Sequence, residues 1–314
     1  MKKAVFATLM ALFCLNIHAQ ESQTAYNFLR IPVSAHAAAL GGDNITINDD
    51  DESLIFSNPA LLSNVEDKTI LLNYMNYMQG AKSLSAAYDM DVMTRGKAAI
   101  SAQMMDYGTM TEADAFGNQL GEFSAKDIAI SGYFAYMLTD ELSAGITAKF
   151  ISSSIADYNS IGVGVDLGLN YYDVEREWSF SAVVKNLGGQ LKAYDDEYEP
   201  MPLDLQAGVS KRLTGTPLRF NAALVDLTHW NYKLIDHVAF GADLILSKNI
   251  WVGGGYNFRR AKQMSIGTGD EESSHGAGFS LGAGLNLNKF KVNLAWGKYH
   301  VASSSVIINV AYSL

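Results

Sequence analysis

The sequence predicts an all-β fold: a transmembrane outer-membrane β-barrel of about fourteen antiparallel strands with an N-terminal hatch inside it. Three observations predict this. From about residue 68, segments of roughly ten residues with alternating apolar and polar side chains follow one another to the C-terminus. Their connections sort by length. Residues 92–96, 139–141, 173–176, 214–216, 247–249 and 288–289 are short, whereas 108–125, 153–159, 188–202, 228–236, 260–275 and 298–303 are long, polar and often acidic. Short turns on one edge and long loops on the other are the habit of bacterial outer-membrane barrels, turns periplasmic and loops extracellular. The third observation is a leader that directs the chain out of the cytoplasm.

In that leader, Lys2 and Lys3 precede an apolar stretch from Ala4 to Leu15, and Ala19 supplies a small residue before Gln20. This predicts a secretory signal peptide over residues 1–19. Cys14, the sole cysteine, falls within it, so the mature chain forms no disulfide. Phe13 before that cysteine disfavours a lipoprotein site.

The next segment, residues 20–67, is of another kind. Ala35, Ala37, Ala38, Ala39, Gly41 and Gly42 are too small for a lipid-facing strand, and Asn48 to Glu52 is an acidic run. The segment is expected to lie inside the barrel as a hatch, with a short helix or turn near Pro59.

Residues 68–314 then make the barrel, with strands predicted at 68–78, 81–91, 97–107, 126–137, 142–152, 160–172, 177–187, 203–213, 217–227, 237–246, 250–259, 276–287, 290–297 and 304–313. The connection at 78–81 is the one short hairpin on the extracellular side. Alternation is clean in places. Ile161, Val163, Val165, Leu167, Leu169 and Tyr171 share one face against Gly162, Gly164, Asp166, Gly168 and Asn170. Val306, Ile308, Val310, Tyr312 and Leu314 likewise oppose Asn309, Ala311 and Ser313. The apolar face should meet lipid and the polar face line the lumen.

Composition is consistent with such a chain: 314 residues, 48% hydrophobic, 18% charged, with 27 Gly and 5 Pro. Outside the leader no run approaches the roughly 20 apolar residues of a spanning helix. Strands that cross lipid must then close on themselves, because unpaired backbone groups are too costly there. The formal charge of −10 becomes about −12 once Lys2 and Lys3 leave with a segment bearing no acid. That argues against nucleic acid as a partner. Outer-membrane lipid is the implied surround.

The hatch also carries a resemblance. Phe28-Leu29-Arg30-Ile31-Pro32-Val33-Ser34-Ala35-His36-Ala37-Ala38-Ala39-Leu40-Gly41-Gly42, then Asp49-Asp50-Asp51, then Phe56-Ser57-Asn58-Pro59-Ala60-Leu61-Leu62, resembles the opening of the PorV/PorQ group of Bacteroidota outer-membrane proteins. That group is similar to the long-chain fatty-acid transporter barrels, which carry a comparable Asn-Pro-Ala segment in their hatch. The length, and Leu72-Asn73-Tyr74-Met75-Asn76-Tyr77 after the hatch, look more PorQ-like than PorV-like. His36 stands where the group would have arginine.

The resemblance is specific over about residues 26–80 and implies a fourteen-stranded barrel serving the type IX secretion system. That machine exports proteins with a C-terminal sorting domain and attaches many to surface lipopolysaccharide. PorQ-like members are expected to hold a PorZ-like surface protein, in an attachment complex with the sortase PorU and with PorV. The hatch residues it singles out are Arg30, Pro32, Gly41, Gly42, Asp50, Asn58, Pro59 and Ala60. The alternative it leaves open is a fatty-acid-transporter-like barrel that passes a hydrophobic small molecule held in the lumen.

Enzymatic and metal chemistry find little footing. Gly278-Phe279-Ser280-Leu281-Gly282 matches G-x-S-x-G, which needs a strained strand-to-helix turn. Here the five residues fall in a predicted strand, where Ser280 simply faces the lumen. No S-x-x-K with K-T-G is present. His36, His229, His237, His275 and His300 are scattered, with no pair at metal-ligand spacing. Asn48–Glu52 lacks the alternating ligands and glycine of a calcium loop, and reads as a solvated turn or a hydrogen-bonded hatch contact. Asp166, Lys149, Lys185 and Asp243 read as wall polarity. A non-enzymatic barrel without cofactor or metal is therefore expected. Any partner should dock on the long loops, foremost Tyr194, Asp195, Asp196, Glu197 and Tyr198, where aromatics sit beside charges that could steer a basic surface.

Overall fold

The computed structural model describes residues 24–114, 116, 118–229, 232–264, 276–300 and 303–314. The expected signal peptide with Cys14, and His275, lie outside the described residues. Fourteen antiparallel strands close into one barrel. They are β1 (Thr69–Asn76), β2 (Lys82–Met93), β3 (Gly96–Ala113), β4 (Gln119–Met137), β5 (Leu142–Ile155), β6 (Tyr158–Asp173) and β7 (Trp178–Lys192). The circuit continues with β8 (Asp204–Arg212), β9 (Leu218–Leu224), β10 (Val238–Ser247), β11 (Ile250–Asn257), β12 (Phe279–Leu287), β13 (Phe290–His300) and β14 (Ser303–Ser313). Closure is made by β1 against β14, in register from Thr69 opposite Ser313 to Asn76 opposite Val306.

Period-two patterning decides which way each strand faces. Ile70, Leu72, Ile100, Ile130, Leu169, Leu281 and Val310 are exposed on the outer wall, while Asn73, Ser101, Ser131, Asn170, Asn221 and Asn309 are buried within. Apolar outward and polar inward is the membrane-barrel arrangement. None of the described helices is long and apolar enough to cross a membrane. The strands are what span it.

The hatch enters at the long-loop end, where Ala25 N donates to Pro200 O at 3.0 Å. It contains one short helix, α1 (Ala35–Ala39), and the 3-10 turns Asn27–Arg30, Glu52–Phe56 and Pro59–Asn64. Ser34 caps α1 by accepting from Ala37 N at 3.2 Å. Gly41 and Gly42, at φ +100° and +95°, end it in the left-handed conformation that glycine tolerates. The hatch leaves at the turn end, where Lys97 Nζ bonds Val65 O.

Three expected loops prove shorter. The stretch 108–125 is mostly strand, since β3 runs to Ala113 and β4 begins at Gln119. No alternation marks it because neither of its faces is buried. The expected loop 153–159 shrinks to a turn at Ala156 and Asp157. Its serines read as loop, yet Ser153 faces the lumen and bonds Asp127. The loop 298–303 is largely β13 and β14. After β11 the chain forms α2 (Phe258–Gln263), not expected from the sequence and started by Asn257, whose side chain accepts from Arg260 N at 2.9 Å.

Candidate functional site

Most of the hatch residues singled out by the sequence contact the wall or its loops, and they are spread along the hatch instead of converging. Arg30 lies 3.7 Å from Asp226 at the loop end. Pro32 lines a small lumen cavity. Gly41 N donates to Ser280 Oγ at 3.0 Å, and the Ser280 hydroxyl donates to Ala39 O at 2.9 Å. Ser280 therefore sits inside β12 holding the hatch, with no nucleophile turn around it. A Cβ on Gly42 would stand 2.2 Å from an Arg260 nitrogen, so glycine lets that guanidinium close over the hatch and stack on Tyr299. Asp50 pairs with Lys291 at the turn end.

Asn58 accepts from Ala60 N at 3.0 Å and starts the 3-10 turn Pro59–Asn64, with Pro59 at its first position. Its amide also donates to Ile45 O at 3.1 Å. The wall makes room for this corner. A Cβ on Gly168 would meet Asn58 Oδ1 at 2.1 Å, and one on Gly145 would meet Pro59 C at 2.3 Å. Small lumen residues on β5 and β6 are thus the other half of the Asn-Pro-Ala motif.

The strongest electrostatics involve residues the motif reading did not assign. Arg219, buried on β9, donates from Nε to Asp243 at 2.8 Å and from both terminal nitrogens to Asp49 at 2.8 Å. His36, 1% exposed on α1, lies 3.2 Å from the same Asp243 and stacks on Trp251 with ring centroids 3.7 Å apart. The clamp thus joins two points of the hatch to β9, β10 and β11. Burial raises the Asp49 carboxyl, but the Arg219 guanidinium outweighs it and holds the group below its ordinary range. His36, which the sequence marks as a departure from pattern and as one of the scattered histidines, is at the centre of this clamp. An arginine between outward Leu218 and Phe220 was the signal available, since charge facing a barrel lumen marks a site of interaction.

The acidic run of the hatch resolves into contacts. Asp51 accepts from Ser53 N at 2.9 Å and Asn293 at 3.0 Å, and burial raises its carboxyl. Glu52 is fully buried and neither of its carboxyl oxygens has a hydrogen-bond partner. Burial, with Asp89 and Asp51 nearby, pushes it up to about 9, so it carries a proton at neutral pH.

Two cavities flank the hatch. The lumen cavity measures about 30 Å³ and brings together Arg30, Lys149, Asp166 and Lys185. Lys149 pairs with Asp166 at 2.7 Å. Such a space holds a few water molecules. A vestibule of about 400 Å³ opens at the turn end between His36, Asp49, Asp51, Arg212, Trp251 and Lys291. Both are charged, and Asp243 belongs to the clamp. The loop residues Asp195, Asp196 and Glu197 are exposed, as is Tyr198 at 66%. Tyr194 turns inward instead: its hydroxyl donates to Ser153 Oγ at 2.5 Å, which removes it from the loop surface.

Comparison with solved structures now bears on the whole. The Pseudomonas putida toluene transporter TodX superposes with a TM-score of 0.55 at 13% identity, covering 88% of this chain and 95% of that one. The monoaromatic hydrocarbon channel CymD gives 0.56 at 14%, covering 92% and 98%. A Pseudomonas aeruginosa FadL homologue gives 0.54 at 10%, covering 90% and 98%. The chain shares their fold. At these identities the likeness carries architecture alone. The closed fourteen-stranded wall, apolar on its outer face, supports an outer-membrane location. No protein-family model matches the sequence, and no curated protein matches it.

Proposed function

We propose that this chain is a non-enzymatic outer-membrane anchor of a Bacteroidota-like Gram-negative bacterium. It would hold a PorZ-like surface protein in the attachment complex of the type IX secretion system, in company with PorU and PorV. The observation that carries this reading is a charged interior into which the hatch is pinned. The ionic clamp and the glycine-walled corner fix the hatch between a lumen cavity of about 30 Å³ and a charged vestibule of about 400 Å³ at the turn end. An interior of that kind suits a barrel whose working surface is its extracellular loops. The hatch motif's resemblance to the PorV/PorQ group supports the same role. Deleting the gene should release the surface protein into the medium, and a mild-detergent pulldown should recover that protein with the barrel. Continued attachment after deletion would reject the anchor.

A second reading is a channel for a hydrophobic small molecule. The solved neighbours favour it more directly than they favour secretion, being named as toluene, monoaromatic hydrocarbon and FadL-type barrels. Transport would require the clamp to open, since both cavities beside the hatch are charged. Organic extraction of the purified barrel decides here. A stoichiometric apolar molecule, identified by mass spectrometry, would establish the channel.

A further inference from the structure

The β3–β4 hairpin outgrows the wall that supports it. The β2 ladder on β3 ends with Lys82 opposite Asp106, and the β5 ladder on β4 ends with Ala125 opposite Ile155. Beyond those rungs β3 and β4 pair with each other from Thr109 opposite Ser124 to Ala113 opposite Gln119, and a last bond from Ala156 N to Ser124 O ties β4 to the turn after β5. Residues 107–113 rise roughly 20 Å above the last shared rung at strand spacing. Their neighbours do not cover them. The connection before β2 and the turn after β5 are both short, at 77–81 and 156–157.

Two free edges in hydrocarbon would leave backbone groups unpaired at high cost, so this part of the hairpin stands outside the membrane core. Which groups are free follows from one bond. Ala156 N donates to Ser124 O, so Ser124 and, by alternation, Glu122 turn their backbone groups away from β3. Thr111, opposite Glu122, turns outward on the other edge. Soluble proteins blunt or cover such edges because they recruit strands.

The charge of the hairpin selects what it recruits. Residues 107–125 carry Glu112, Asp114 and Glu122 and no lysine or arginine, and the loop 193–202, whose Tyr194 reaches Ser153 on β5, carries four acids and no base. A second copy of this hairpin would set acid against acid. We propose that one edge of the hairpin accepts an extended segment of a basic surface protein as an added strand, with Leu120 (64% exposed) and Phe116 (91% exposed) as its apolar contacts. This rests on the anchor reading and assigns its docking element.

The test uses the full chain in its own cells and reads the surface protein released when the gene is deleted. Thr111→Pro and Glu122→Pro each remove one outward donor without touching the bonds between β3 and β4. At least one should release the surface protein ten-fold or more over Thr111→Ala, with the barrel still migrating as folded on unheated gels. Glu112→Lys combined with Glu122→Lys keeps the backbone donors and should release it too. If deletion releases the protein but both proline variants hold it like Thr111→Ala, the strand-addition site is wrong and the anchor stands. Retention by the charge-reversed hairpin would overturn the basic partner. If deletion releases nothing, the anchor itself fails and the site with it.

Discussion

Single side chains set how firmly the hatch is held, and two make opposite predictions. Asp243 is fully buried between Arg219 and His36. Asp243→Ala leaves the buried Nε of Arg219 without its acceptor while Asp49 still pairs the terminal nitrogens, and should cost about 1–3 kcal/mol in denaturant unfolding. The exposed pair Arg95–Asp140 at 2.5 Å is the contrast, and Arg95→Ala should cost about 1 kcal/mol or less. Glu52 titrates in the reverse sense. Its folded value is raised to about 9 from an ordinary 4.5, so between those limits the folded chain keeps a proton that the unfolded chain has lost. Stability should therefore fall as pH rises through that window. Glu52→Gln should flatten the dependence in thermal melts at pH 5 and pH 8, and an equal slope in both proteins would refute the assignment. Little of this was legible beforehand. Asn58, Pro59 and the glycines announce themselves by type, whereas His36 and Asp49 acquire meaning only when closure brings Arg219 across 170 residues or more of chain.

At the level of elements, the wall and the hatch are shaped for each other. Gly168→Val or Gly145→Val would drive side-chain atoms into Asn58 and Pro59, an overpacking of about 1–3 kcal/mol. The expected result is new protease cleavage within residues 52–64, read by mass spectrometry, with the barrel's unheated gel mobility unchanged. Protection equal to wild type would mean that the corner can move elsewhere. Strands were legible where one face meets lipid, as in β6 and β14, because burial on the other face forces alternation. They were illegible in the upper parts of β3 and β4, where water lies on both sides and Thr109 to Ala113 read as loop. Helix α2 was missed for a related reason: six residues give no helical period to read, and the Asn257 cap is its sole mark.

The molecule as a whole should behave as a closed membrane barrel. It should need detergent, give a β-rich circular dichroism spectrum and run at different positions with and without boiling. A helical spectrum would contradict the wall described above. Orientation has its own check. An epitope inserted at residues 195–197 should be labelled on intact cells and one at 214–216 should not, and the reverse pattern would invert the barrel. The strands also differ in length around the circuit. β3 to β7 have eighteen, nineteen, fourteen, sixteen and fifteen residues, whereas β8 to β11 have nine, seven, ten and eight. The seven residues of β9, even with the bonds that carry its edges on to Val225 and Leu227, make this the lowest part of the wall against the roughly 25 Å apolar band of such barrels. The surrounding lipid must adapt on that side, by thinning of the leaflets or by a lean of the whole cylinder. Acyl chains next to β9 would then be compressed and those next to β4 relaxed, and the protein would carry a fixed bearing in the plane of the membrane.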